Sequence, residues 1–288
     1  MIDRKLETVY TPEDQPGFLG SGHTARPVIQ VDFTKSDPFI MLMDDMLDKK
    51  DTKPAGGPHP HAGFETVTLV LEGEIGDGDH ALKSGDFEMM TAGRGIVHTE
   101  IISKPTRMRI LQLWLNLPKE KRNALPRLQR LAAEHVPAKN SDGADIKVYS
   151  GSFAGMTSPV KNHTSLILAK IKLQPGTCLA EALPGNFSTF LYVLDGSVQV
   201  GEEKRKIAKD QVGWLNQVAD VETQLRLRAG ENGAYLVLYA AEPQHHEIVS
   251  HGPFIADSME DIRQLYADFR AGKMGHISEV AEEQQFAY

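Results

Sequence analysis

His59-Pro60-His61-Ala62-Gly63-Phe64-Glu65-Thr66-Val67-Thr68-Leu69-Val70-Leu71, closing on Glu72-Gly73, is the stretch from which the fold is read. From Phe64 to Leu71 it is a β-branched and apolar run of strand length that ends at a turn signal. Side chains two residues apart on a strand project from one face, so His59 and His61 can aim into one space. Downstream, Gly76-Asp77-Gly78-Asp79 and Lys83-Ser84-Gly85-Asp86 supply turns, Phe87 to Met90 is a short strand, and Ala92-Gly93-Arg94-Gly95 supplies a third bend. Ile96-Val97-His98-Thr99-Glu100 resumes the strand pattern, and an antiparallel return brings the pair His98 and Glu100 beside the pair His59 and His61.

Three imidazoles and one carboxylate make a mixed nitrogen and oxygen donor set. Such a set suits divalent iron, manganese, nickel, copper or zinc and does not suit calcium or magnesium. His59, His61, His98 and Glu100 are therefore the candidate metal ligands.

The chain has 288 residues, which predicts two domains, with 41% hydrophobic and 24% charged residues in globular proportion. No run of about 18 apolar residues spans a bilayer, and Met1-Ile2-Asp3-Arg4-Lys5-Leu6-Glu7 lacks the apolar centre of a signal peptide, so a cytoplasmic protein with no membrane association is expected. The single cysteine, Cys178, forms no intrachain disulfide and is read as a small buried apolar residue. A net charge of −8 argues against direct nucleic-acid binding.

An internal repeat organises the second half. Phe190-Leu191-Tyr192-Val193-Leu194-Asp195-Gly196-Ser197 mirrors Thr66 to Glu74, each an apolar strand closing on an acidic residue and glycine. Setting Gly196 against Gly73 puts Ala182 and Pro184 at the places of His59 and His61, and Ser188 at that of Glu65. The expectation is two all-β domains, 1–135 with the metal and 136–288 without it, the second ending in a helix. That helix is marked by Ser258 with Asp261 as a capping box, apolar residues at Ile262, Leu265, Tyr266 and Phe269, and a stop at Gly272.

Other features take plainer readings. Asp44 to Asp51 is read as a solvated acidic turn, His23 as a surface histidine, and Lys119 to Leu131 as a basic connection with Lys121, Arg122, Arg127 and Arg130 on a solvated face. Trp114, Phe64, Met89 and Met90 are read as core. Arg94, between two glycines, either orients Glu100 or a substrate anion or holds its own turn. The adjacent His245 and His246 point to opposite sides of an extended chain and share no metal.

His59 to Thr68, Met90 to Glu100, Leu111 to Pro118 and His251-Gly252-Pro253-Phe254 together resemble the pirin family of the cupin superfamily. The resemblance implies two cupin jelly-roll barrels and a metal, usually Fe(II), with Mn, Ni, Cu or Zn as alternatives, on His59, His61, His98 and Glu100. It places Glu65 beside the ligands without binding the ion, and it implies that the C-terminal segment returns toward the first barrel. Where many relatives carry arginine after the second histidine this chain has Ala62, and its Glu74 to Ser84 stretch is shorter. The implied activity is a quercetinase-type dioxygenase that cleaves a flavonol-like or enolizable aromatic with O2, Glu100 or Glu65 accepting the substrate proton. The alternative is an iron-binding, redox-responsive regulator acting through a protein partner.

Overall fold

Apolar and β-branched runs bounded by glycine and aspartate become strands because their side chains pack on a pleated surface while the bounding residues allow reversal. The computed structural model describes residues 1–76 and 81–288, nearly all of them strand or connection, with a long helix at Met259–Arg270 and a single helical turn at Phe33–Ser36. Strands Phe64–Glu72, Phe87–Thr91, Ile96–Thr99 and Thr106–Asn116 occupy the expected places. Asp77, Gly78 and Asp79 of the first expected turn lie outside the described residues.

The first barrel comprises residues 13–29, 39–135 and 244–288. Its eight-stranded sheet runs, in spatial order, Gln285–Ala287, Arg127–Leu131, Phe87–Thr91, Phe64–Glu72, Thr106–Asn116, Phe39–Lys49, His23–Pro27 and Gln15–Pro16. The second comprises residues 1–12, 30–38 and 136–243, around a ten-stranded sheet. The chain crosses between the two units at 12/13, 29/30, 38/39, 135/136 and 243/244, so its first residues belong to the second barrel and its last to the first. Leu6–Tyr10 pairs antiparallel with Val212–Leu215 of the second barrel, and Gln285–Ala287 pairs parallel with Arg127–Leu131 of the first. A strand pattern states that a segment needs an edge to pair with, and does not state whose edge.

Register fixes what each face carries. In the first barrel Trp114 stands opposite Thr66 and Gln112 opposite Thr68, so Phe64, Thr66, Thr68 and Val70 share one face with Gln112 and Trp114. Glu65, Val67 and Leu69 take the other face, with Thr91, Met89 and Leu113 as neighbours.

The internal repeat is geometric as well as sequential. Val70 N–H donates to Asp86 O at 3.1 Å and Val193 N–H donates to Gln211 O at 3.1 Å. Three residues beyond each valine, Gly73 and Gly196 have φ of 76° and 69°, and an added Cβ would collide with the carbonyl oxygens of Arg107 and Gly233 respectively. Glycine is required at both places for the same reason. The interiors differ. Thr68 Oγ1 donates to Gln112 Oε1 at 2.8 Å, whereas the corresponding cross-strand pair in the second barrel is Leu191 and Leu238, both fully buried in one apolar cluster.

The acidic stretch is not a turn. The strand Phe39–Lys49 continues through it, with Asp44 buried against Arg109 (2.9 and 2.7 Å) and Asp45 against His23 (2.9 Å). Cys178 is exposed, because strand alternation turns its neighbour Leu179 toward the core. Gly196→Ala is expected to lower stability by about 2 kcal/mol from backbone strain and the carbonyl collision, read as a lower urea midpoint with an unchanged denaturant slope.

Candidate metal centre

Two short strands build the site. Pro58–His61 runs antiparallel to Ile96–Thr99, pairing His59 with His98 and His61 with Ile96. Opposed residues share a face, and so do residues two apart, so all three imidazoles point the same way. His98 Nε2 lies 2.7 Å from His59 Nε2 and 3.0 Å from His61 Nε2. The ligating atoms of the three all lie within 4.8 Å of one another, the one such group of three or more among the described residues.

The nitrogens are prepared to ligate. His59 Nδ1 donates to the Gly57 carbonyl at 2.8 Å, which can only accept, a contact that orients the ring with Nε2 toward His98. Burial lowers His61 from 6.5 to about 3, with the His59 imidazole adding to the effect and the Pro253 carbonyl opposing it. Burial likewise lowers His98 to about 2, helped by His61, His59 and His276. Both imidazoles are thus neutral at physiological pH, the form that binds metal. For metal–nitrogen bonds of about 2.1 Å, neighbouring ligands on an octahedral ion stand about 3.0 Å apart, which the contacts to His98 match. The three side chains therefore fit a divalent transition metal.

Glu100 follows the ligand strand directly and lies outside the three-histidine group. Burial pushes its carboxyl up to about 7, and the carboxylates of Glu88 and Asp45 push in the same direction. This local negative potential favours a cation. Glu65 is not brought to the site. It lies on the face of its strand opposite Phe64, fully buried, accepting from Thr91 Oγ1 at 2.7 Å and facing Arg127 at 3.6 Å. Spacing from the second histidine does not reveal this, because Ala62-Gly63 reverses the chain first and sets which face follows.

Several side chains read as bland turn out to build the site. Phe64 and Trp114 stack with centroids 4.3 Å apart, and each meets the His61 ring at 5.2 Å, edge to face, forming an aromatic wall. His23 is buried, its Nε2 on Asp45, one of the two carboxylates that act on Glu100. Arg122 is buried rather than solvated: it donates to Gly63 O (3.0 Å), Asn116 Oδ1 (2.6 Å) and Asp257 Oδ1 (3.0 Å). Arg127 and Arg130 belong to a sheet strand and pair with Glu65 and Glu88. Arg94 points to solvent, and its turn is held by the backbone, Arg94 N–H to Ala124 O at 3.0 Å. A groove of about 850 Å³ runs along Gly93 to Ile96, bounded by the C-terminal helix and residues 273–284.

Two β-barrels in one chain, the first carrying three converging imidazoles, define a bicupin with a candidate metal centre. The family description "Pirin" matches residues 22–115 and "Pirin C-terminal cupin domain" matches residues 168–275. Human pirin is 34% identical over 248 residues, which cover 83% of this chain and 83% of that protein. A crystal structure of quercetin 2,3-dioxygenase from Acinetobacter baumannii superposes with a TM-score of 0.83 at 25% identity, covering 96% of this chain and 99% of that one. A bacterial pirin from Escherichia coli, solved with nickel(II), shares the fold at a TM-score of 0.61 and 16% identity, over 82% of this chain and 99% of that one. This chain belongs to the pirin family.

Arg122→Ala strips a cation from Asp257 and donors from Asn116 and Gly63, and is expected to cost about 3 kcal/mol, measured as a lower urea midpoint.

The metal-free protein should also show two opposed pH effects. Between 4.5 and about 7 the folded protein holds a proton on Glu100 that the unfolded chain has lost, so stability falls as pH rises through that window. Below 6.5 the unfolded chain takes up protons that buried His61 and His98 refuse, so stability falls as pH drops. Glu100→Gln is expected to abolish the first loss and keep the second, seen in urea midpoints of metal-free protein at pH 5, 6.5 and 8.

Proposed function

We propose that this pirin-family protein is an iron(II)-dependent dioxygenase of the quercetinase type, acting on a flavonol-like or otherwise enolizable aromatic with O2. The observation that carries the reading is the converging histidine triad, with His98 Nε2 at cis-ligand distance from the nitrogens of His59 and His61, beside a carboxyl poised near neutrality and an aromatic wall. The similarity to a quercetin 2,3-dioxygenase supports it. His59, His61, His98 and Glu100 would hold the ion, with manganese, nickel, copper or zinc as alternatives to iron. The ion would supply Lewis acidity toward a substrate hydroxyl and a redox link to O2.

The chain's own residues do the remaining work. Trp114, stacked on the fully buried Phe64, is the partly exposed aromatic ring against which a planar substrate can stack. Glu100, the buried carboxyl that directly follows the ligand strand, takes the proton of the enolizable hydroxyl. Glu65, on the far face of its strand, takes no part in proton transfer and secures Thr91 and Arg127. Asp45 and Glu88 maintain the negative potential that raises Glu100.

A second reading is a redox-responsive regulator that acts through a protein partner. One observation favours it: the groove along Gly93 to Ile96 touches the strand that carries His98, so an external surface and a ligand strand share residues. One experiment separates the two readings. Purified protein and His59→Ala/His98→Ala are compared by elemental analysis, then by O2 consumption with quercetin after anaerobic iron loading. The dioxygenase reading expects near-stoichiometric metal in the wild type, its loss in the double variant, and O2 uptake by the wild type alone. Metal without O2 uptake would favour the regulator.

A further inference from the structure

The ligand strands Pro58–His61 and Ile96–Thr99 pair with each other and with no strand of the eight-stranded sheet. A ribbon with 4 residues on each side is marginal by itself in water, and Pro58 and Pro60 each remove an N–H donor. Its outer edges are nevertheless engaged, both by the same part of the chain. At one edge Ala62 forms a parallel bridge with Phe254, and Ile255 N–H donates to Ala62 O at 3.0 Å. At the other edge Val97 forms a parallel bridge with His276, and Val97 N–H donates to Gly275 O at 2.9 Å. The C-terminal segment thus lends backbone partners to both sides of the ribbon.

His276 adds a side-chain contact at the strand that carries His98. Its Nδ1 accepts from Ser278 N–H at 3.2 Å, and its own N–H donates to Glu279 Oε2 at 3.2 Å, a reciprocal cap that fixes the residue. With Nδ1 accepting, the ring proton of neutral His276 sits on Nε2, which lies 3.0 Å from Thr99 Oγ1. Thr99 lies between His98 and Glu100. We infer that His276, locked by its cap, is a positioning residue that holds the ligand strand through Thr99 and so sets how tightly the metal is bound. The inference rests on the metal-centre reading and concerns a residue outside the ligand set.

The test uses the full chain with Co(II) as probe. Affinity is measured by competition with a chelator and geometry by the visible absorption of the bound ion. His276→Asn retains a side chain able to cap but too short to reach Thr99, and Thr99→Val retains a β-branched residue without the hydroxyl. Each is expected to weaken Co(II) binding about 10-fold, in the range found for groups that orient metal ligands. The double variant should lose no more than either single change, and the visible bands should shift alike in all three. His276→Gln, whose amide can again donate toward Thr99, should recover most of the affinity. Wild-type affinity and spectra in His276→Asn and Thr99→Val would overturn the proposal, as would losses that add in the double variant or a His276→Gln protein no better than His276→Asn. The metal centre itself falls, and the proposal with it, if wild-type protein fails to bind Co(II) or His59→Ala/His98→Ala binds it equally well.

Discussion

Three converging imidazoles, with His98 Nε2 no more than 3.0 Å from the nitrogens of His59 and His61, form the arrangement that the rest of the first barrel must tolerate. His61 and His98 lose water on burial, and the neighbouring imidazoles oppose their protonation, so both are driven far below the ordinary histidine range. The spacing is possible because His59 and His98 face each other directly across a strand pair, while His61 follows two residues along the same face. The ribbon that carries them is too short to be stable alone, so the molecule surrounds it with fastenings. Gly63 and Gly93, at φ of 88° and 50°, let the chain pass where a Cβ would strike the carbonyls of Ile255 and Ala124. Arg122 joins the turn after His61 to Asp257 in the returning C-terminal segment.

The two barrels show how one strand framework serves different ends. Both place a valine, and three residues later a glycine, in the same hydrogen-bonded relation to the neighbouring strands. In the first, threonine, glutamine and tryptophan share the strand face that meets His61, and burial, with Glu88 and Asp45, raises the carboxyl of Glu100. In the second, Leu191 and Leu238 stand where Thr68 and Gln112 do and Ala240 stands where Trp114 does, and all three pack as ordinary core. A polar interior costs stability unless its groups are paired, and here Thr68 pairs with Gln112 and His23 with Asp45.

Much of this was legible because it depends on local spacing. Period-two alternation gave the strands and placed three histidines on one face, the glycine repeat revealed the second barrel, and Ser258 with Asp261 marked the start of the helix. The misreadings have a common cause. Asp44, Asp45, His23 and Arg122 are polar residues whose solvation was inferred from type, yet each is buried because a partner remote in sequence neutralises or hydrogen-bonds it: Arg109, Asp45 and Asp257 lie 65, 22 and 135 residues from Asp44, His23 and Arg122. Cys178 erred in the other direction, toward burial by residue type where strand phase turned it outward. Glu65 was misplaced by a turn of two residues, which resets the face on which the next strand begins.

The amino-acid order by itself determined the strand pattern, the internal repeat and the identity of the three converging histidines, because alternation along a strand is a property of neighbouring residues. Only the tertiary structure decided which barrel each chain end completes, which carboxylates raise Glu100, and that residues 254 to 276 brace both edges of the ligand ribbon. Those outcomes depend on which edges and faces meet across more than a hundred residues, and pairing of that range leaves no periodic trace in the sequence.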